Sequence, residues 1–384
     1  MLVERMRPFT STIFAEMSAL ALRTGAINLG QGFPDTDGPP SLLADAAANI
    51  TGGINQYPPG IGVPELREAV AAHQQRFYGQ EVDPAHVLVT TGATEAIASA
   101  VLALCEPGDE VVTFEPYYDS YAATIALAGA VHKPVPLRPP DFGFDPDELR
   151  AAFSARTRVV LVNTPHNPTG AVLDRAQLTL IGELAAEFDA VVVTDEVYEH
   201  MVFDGRPHVP MATLPGMAER TLTISSAGKT FSVTGWKVGW ISGPPELVAA
   251  VKAAKQFLTY VSGAPFQPAI ANALALPDAF YTDLADGLQR KRDLLAGGLT
   301  AAGLTVYPSA GTYFIVTDTA PLGITDGAEL CWKLPELVGV AAVPVSVFCA
   351  DPELGRTLVR FAFCKKDEVL TAAVERLADL KAAL

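Results

Sequence analysis

Cysteine is scarce in this chain, and so are basic residues and long apolar runs. The four cysteines among 384 residues, Cys105, Cys331, Cys349 and Cys364, form no C-x-x-C pair. Neither a zinc knuckle nor a redox couple is indicated, so no metal site is expected and buried free thiols are the expected state. Lys plus Arg total 27 against 43 Asp plus Glu, a formal charge of −16. That balance repels phosphate backbones and anionic lipid surfaces, which argues against nucleic acid or a membrane as partner. No apolar stretch approaches the ~18 residues of a membrane span; Ala96 to Cys105, among the longest, stops at about ten. Glu16 and Arg23 interrupt the segment that a signal peptide would need after Arg5 and Arg7. A cytoplasmic protein is the expectation. With 49% hydrophobic and 18% charged residues, and 31 Gly and 30 Pro scattered along it, the chain is neither disordered nor collagen-like. At roughly 150 residues per domain it has room for two or three domains.

What is present is an alternation of short β-branched runs with longer helical patterns from residue 84 to 245, the signature of βαβ units and a mostly parallel sheet. The fold class is α/β. Seven strands are predicted, at His86 to Thr91, Glu110 to Phe114, Val131 to Leu137, Arg158 to Asn163, Ala190 to Thr194, Thr221 to Ser225 and Lys237 to Ser242. Runs such as Val159-Val160-Leu161-Val162 imply helices on both faces, and loops at the carboxyl ends of such strands should carry function. The ends differ: residues 1–40 and 281–384 mix helices with shorter strands and are read as one smaller α+β domain, with a large domain over 41–280. A helical stretch from Glu246 to Tyr260 is expected to connect the two.

The most informative segment is Ser225-Ser226-Ala227-Gly228-Lys229-Thr230-Phe231, running on to Trp240, between two strands with no room expected for a helix. Gly228-Lys229-Thr230 imitates the end of a phosphate-binding P-loop. That pattern needs glycine where Thr223 stands, and a helix where Gly235 and the next strand follow. Lys229 reads as a solvated loop lysine only if its apolar neighbours Phe231, Val233, Trp236 and Trp240 are ignored. An apolar setting that brings a lysine pKa from ~10.4 toward 7 to 8 costs roughly 4 kcal/mol and leaves a nucleophilic amine. Such an amine forms Schiff bases with carbonyls, most often with the aldehyde of pyridoxal 5′-phosphate.

That chemistry needs an acid facing the pyridine nitrogen. Asp195 ends a buried strand in Thr194-Asp195-Glu196-Val197-Tyr198 and can point into a crevice there, although alone it reads equally as a helix N-cap. At ~4 Å and an effective dielectric near 20, its charge is worth roughly 4 kcal/mol, enough to keep the ring protonated at neutral pH.

In order and spacing, Asn163-Thr164-Pro165-His166-Asn167-Pro168-Thr169-Gly170, Asp195-Glu196-Val197-Tyr198, Ser226-Ala227-Gly228-Lys229-Thr230-Phe231 and Val359-Arg360-Phe361 resemble the class I pyridoxal-phosphate aminotransferases of fold type I. Gly30-Gln31-Gly32-Phe33-Pro34-Asp35 and Asn55-Gln56-Tyr57 are similar to the kynurenine, glutamine and methionine aminotransferase branch, to which actinobacterial N-succinyldiaminopimelate aminotransferases also belong. The likeness spans nearly the whole chain.

The resemblance implies that Lys229 anchors the cofactor and then moves the proton between the donor's Cα and cofactor C4′. Asp195 would pair with the ring nitrogen, Asn167 and Tyr198 would hydrogen-bond the phenolic oxygen, and Tyr118 would stack on the ring, unless it is simply a packed core tyrosine. Gly92-Ala93-Thr94, at the start of a helix, would receive the phosphate with Ser226 and Lys237. Many relatives carry arginine at the Lys237 position, and lysine offers a point charge without the fork. Tyr57 matches a residue that reaches the phosphate from the neighbouring subunit, which implies a homodimer with shared sites. Arg360 matches the arginine that forks onto the donor's α-carboxylate, although alone it reads as a surface salt-bridge residue; backbone at Gly32 would approach the same carboxylate. Closure of the small domain would then assemble the site and exclude water.

Amino-acid donors and 2-oxo-acid acceptors follow as substrates. Kynurenine-type enzymes often carry an aromatic and a histidine where Ser262 and Gly263 align; small residues there leave room for a long acyl-amino acid. Succinyl-diaminopimelate, and with it lysine biosynthesis, is the narrow expectation. A kynurenine, glutamine or methionine donor, β-lyase action on cysteine conjugates, and a non-catalytic relative of the same fold remain alternatives.

Overall fold

The computed structural model describes residues 2–384. Its centre is an eight-stranded sheet in the spatial order Val87–Thr90, Gly239–Ser242, Thr221–Ser226, Val191–Asp195, Thr157–Asn163, Glu110–Glu115, Val131–Arg138 and Gly143–Phe144. The five strands from Thr221–Ser226 to Val131–Arg138 are parallel. Gly239–Ser242 runs against both its neighbours, and the two-residue strand Gly143–Phe144 adds an antiparallel edge beyond the seven expected. The continuous apolar strands are explained by cover on two sides. Val159 and Leu161 join a cluster with Ile97 and Val101 of helix Gly92–Leu104, while Val160 and Val162 join one with Leu178 and Ile181 of helix Arg175–Glu187. Successive side chains leave opposite faces, and each fully buried one contributes about 1.5–3 kcal/mol. All four cysteines are free and buried.

Around this sheet the two ends of the chain meet. Ile27–Asn28 pairs in parallel with Val340–Ala341, and Ala362 donates its N–H to Leu29. Thr305–Val306, Phe314–Asp318, Leu358–Ala362 and Val343–Pro344 form a separate antiparallel sheet in that order. Three local expectations change. Helix Pro245–Lys255 ends well before Tyr260, which lies in the left-handed region at φ 62°, and it packs on helix Gly92–Leu104. The element that joins the two halves is Asp278–Ala301: its Tyr281 packs beside Phe231, and its Leu288, Leu295 and Leu299 sit in the core of the smaller sheet. The lysine segment does hold helix, one turn at Ala227–Thr230 and a 3-10 turn at Thr234–Trp236. Lys237 then turns at φ 54°, so the strand starts at Gly239 and not at Lys237. No helix among the described residues is long and apolar enough to cross a membrane.

Candidate active site

The carboxyl ends of the parallel strands open onto a cavity of about 270 Å³. Asp195, the last residue of its strand, is 5% exposed and accepts a hydrogen bond from the Tyr121 hydroxyl at 2.6 Å. Burial outweighs that bond and pushes the carboxyl up to about 6. Lys229 reaches the same cavity from its one-turn helix, and burial brings its ammonium down to about 8. Both shifts have one cause: a low-dielectric wall disfavours whichever form is charged. A solvated lysine and a helix N-cap aspartate are thereby excluded, since Asp195 bonds only the Val197 N–H of its own loop, at 3.5 Å, and no helix follows.

At one end of the cavity Gly92 begins its helix at φ 69°, and a Cβ there would stand 3.2 Å from Lys237 Nζ. Lys237 Nζ lies 3.5 Å from Thr94 Oγ1, so a cation and the free N–H groups of the helix start share one place. Ser226 caps the lysine's turn by accepting from the Gly228 N–H at 3.3 Å. Ala93, Thr94, Ser226 and Lys237 all line the cavity, with Gly92 immediately behind Lys237. Tyr118 lines it too, its phenol pKa raised by burial.

At the other end stands Arg360, 1% exposed. Its Nη1 donates to Asn167 Oδ1 at 3.0 Å and its Nη2 to the Gly30 carbonyl at 2.8 Å, while Nε has no partner. The guanidinium carbon lies 4.0 Å from the centre of the Phe314 ring. Burial lowers its pKa to about 10. No carboxylate pairs with it among the described residues, so the surface salt-bridge reading fails and a buried positive charge faces the cavity. Asn167 is steadied by Asn163, whose side chain accepts the Asn167 N–H at 2.8 Å and donates to the Asp195 carbonyl at 2.8 Å. Gly32 lines the cavity beside them, and a Cβ there would collide with the Phe314 ring.

Of the expected residues the cavity lining lacks Gly92, which stands just behind it, and Tyr57. Tyr57 lies elsewhere. It is 83% exposed, and its ring meets Tyr260 edge-on at 5.7 Å. The aromatic of that neighbouring stretch is therefore Tyr260; Ser262 instead bonds Thr91 at 3.1 Å. Tyr198 is buried and lines the cavity, its phenol pKa raised by burial. Sequence reasoning missed Tyr121 on Asp195, Tyr313 on Lys229, and Phe14, Gln31 and Phe314 in the wall. Tyr121 carried a weak signal, three residues after Tyr118 at helical spacing. The others become neighbours only through long-range pairing.

The donor set fits pyridoxal 5′-phosphate. An amine near neutrality, an acid for a ring nitrogen, an anion cup and a guanidinium without a carboxylate partner among the described residues all belong to one cavity. Comparison with known proteins agrees. The family model for aminotransferases of class I and II matches residues 24–377. A probable N-succinyldiaminopimelate aminotransferase, DapC, of Mycobacterium tuberculosis H37Rv is 56% identical over 99% of this chain and 98% of its own length. A methionine aminotransferase of Escherichia coli K12 is 43% identical over 96% of each chain. The solved structure of the M. tuberculosis N-succinyldiaminopimelate aminotransferase superposes with a TM-score of 0.97, covering 99% of this chain and 100% of that one. Thermus thermophilus aspartate aminotransferase with maleate, 34% identical, superposes at 0.91 over 99% of both. The chain thus belongs to the class I and II aminotransferases, with their fold and with pyridoxal 5′-phosphate as its cofactor.

Proposed function

We propose that this aminotransferase takes its amino group from N-succinyl-diaminopimelate and passes it to a 2-oxo acid such as 2-oxoglutarate, in a homodimer whose active sites are each built from both chains. One observation carries the geometry: Arg360, buried and without a carboxylate partner among the described residues, lines the same cavity as Lys229. A buried cation of this kind is costly unless an anion completes it, and an amino acid's carboxylate suits a guanidinium fork. The donor's identity rests on the 56% identity with the M. tuberculosis enzyme over nearly the full length of both chains.

Bound pyridoxal phosphate supplies an aldehyde for the amine and a ring that takes up the electrons released at the donor's Cα. Lys229 Nζ, brought down to about 8, is unprotonated in about one molecule in ten at pH 7, far more than an ordinary lysine, and so can bind that aldehyde and accept the Cα proton. Asp195, raised by burial to about 6, would meet a protonated ring nitrogen as a carboxylate and keep that proton in place. Asn167 and Tyr198 hydrogen-bond the ring's oxygen, and Tyr118 covers its face. Gly92, Ala93, Thr94, Ser226 and Lys237 hold the phosphate. Arg360 and the backbone at Gly32 orient the donor's carboxylate, and residues 1–40 with 281–384 move as the smaller domain that closes on it. Tyr57 completes the phosphate cup of the second subunit. Its exposure, with Phe257 85% and Tyr260 48% exposed nearby, supports an apolar face between two copies. The protein acts in the cytoplasm.

A half-reaction panel tests this. Purified enzyme is mixed with succinyl-diaminopimelate, kynurenine, methionine, glutamine or glutamate, and loss of the cofactor's aldehyde absorbance is followed. Succinyl-diaminopimelate is expected to react at least tenfold faster than the rest; kynurenine or methionine in first place overturns the donor assignment. Mixing inactive Lys229→Ala and Tyr57→Ala chains should restore part of the activity, and no recovery would remove the shared site.

A further inference from the structure

Lys229 Nζ lies 3.0 Å from the Tyr313 hydroxyl oxygen, which in turn lies 2.6 Å from the Gly32 carbonyl. A carbonyl only accepts, so the single phenol hydrogen goes to Gly32 and only lone pairs remain for the lysine. The direction of both bonds is fixed by chemistry. Tyr313 is 1% exposed and sits behind Lys229, off the cavity wall. Its ring is held edge-on against Tyr198 at 5.2 Å and Phe314 at 4.8 Å. Burial raises its pKa well above the usual phenol range, so the group stays neutral.

We propose that Tyr313 is a positioning residue of the amino-transfer reaction. Its oxygen holds the Lys229 amine whenever the amine is not bonded to the cofactor, and links it to the Gly30–Phe33 loop beside the donor's carboxylate. This rests on the role given to Lys229 above. A lysine chain without an anchor spreads over several rotamers; one fixed acceptor gathers it into one, worth about tenfold in rate. The same link makes the amine's position depend on the loop, because the hydroxyl that receives Nζ is itself set by the Gly32 carbonyl.

Tyr313→Phe removes one oxygen and keeps the ring packing, so the variant is expected to fold. In the cofactor-free protein, labelling of Lys229 by acetic anhydride across pH, read by mass spectrometry, gives the amine's titration midpoint. The other groups facing it are Asp195, Cys364, Lys237 and Arg360, with the Tyr198 ring, and all are unchanged in the variant. Loss of an acceptor disfavours the ammonium, so the midpoint is expected to fall by about one pH unit. In the loaded enzyme, transfer of the donor's Cα proton should slow about tenfold with KM within about twofold, and the isotope effect of an α-deuterated donor should rise. An unmoved or raised midpoint overturns the proposal, and so does an unchanged isotope effect. Borohydride reduction and peptide mapping separate the two levels. Cofactor fixed elsewhere than Lys229 sinks the wider reading, whereas cofactor on Lys229 with an unmoved midpoint in Tyr313→Phe sinks only this one.

Discussion

Two buried polar clusters share one short segment, Asp195 to His200, and differ in how their charge is closed. Asp195 and Tyr198 face the cavity, where Arg360 has no carboxylate and Lys229 has only a phenol. Glu196, Glu199 and His200 face away. Glu196 meets His208 at 2.8 Å and accepts the Met211 N–H at 3.2 Å. Glu199 accepts from Ser225 at 2.5 Å, and His200 shares a 2.7 Å bond with His73. On the second side each carboxylate thus has a partner within the chain, which fastens the strand end to its neighbours, while Glu199 Oε2, His73 Nδ1 and His208 Nδ1 stay without one. On the first side the buried Arg360 guanidinium has no carboxylate among the described residues, and that open charge sets it apart from a structural network of the same residue types.

Substitutions on the two sides should separate cleanly. Lys229→Ala is expected to abolish amino transfer while the folded protein survives, checked by steady-state assay and circular dichroism. Asp195→Asn should cost about a thousandfold in kcat/KM, the equivalent of the ~4 kcal/mol between close charges; a loss under tenfold would contradict the electron-sink role. Arg360→Lys keeps the charge and loses the fork, so KM for the amino donor should rise about 10- to 100-fold with less change in kcat. Glu199→Gln in the paired cluster should lower the melting temperature, by about 1–3 kcal/mol of stability, and leave kcat within about threefold.

The smallest effect is one of pH on the cofactor-free protein. Lys229 binds its proton less tightly folded, about 8, than unfolded, 10.5, so its burial costs stability: the penalty is absent above 10.5, grows as pH falls and is complete below 8. Asp195 is raised from 3.8 to about 6, so its penalty is absent below 3.8 and complete above 6. Both penalties act fully between these limits, near pH 7. Lys229→Met should therefore melt a few degrees higher than wild type at pH 7, and the gap should close as pH rises from 8 toward 10.5. A gap that widens over that range would contradict the buried lysine.

The lysine and the aspartate were legible because each sits in a local pattern: a small-residue loop with apolar neighbours, and the polar end of an apolar strand. The seven long strands were legible from β-branched runs. The eighth, Gly143–Phe144, was not, since two residues carry no period and its place is set by pairing with Leu137 and Arg138. The break at Lys255, the one-turn helix and the left-handed Lys237 depend on how the chain turns around the cavity, which apolar spacing does not encode. Tyr313 was invisible for a different reason. It meets Lys229 across 84 residues and Gly32 across 281.

The amino-acid sequence by itself determined the sheet, its two-sided cover and the pairing of a nucleophilic lysine with an acid, because periodicity and short-range chemistry are written along the chain. Tertiary structure alone decided that Arg360 has no carboxylate partner among the described residues, that Tyr57 lies away from the cavity, and that Tyr313 stands behind the Lys229 amine. Those outcomes depend on which distant surfaces exclude water from one another, and burial sets both the free charge of the arginine and the lowered proton affinity of the lysine.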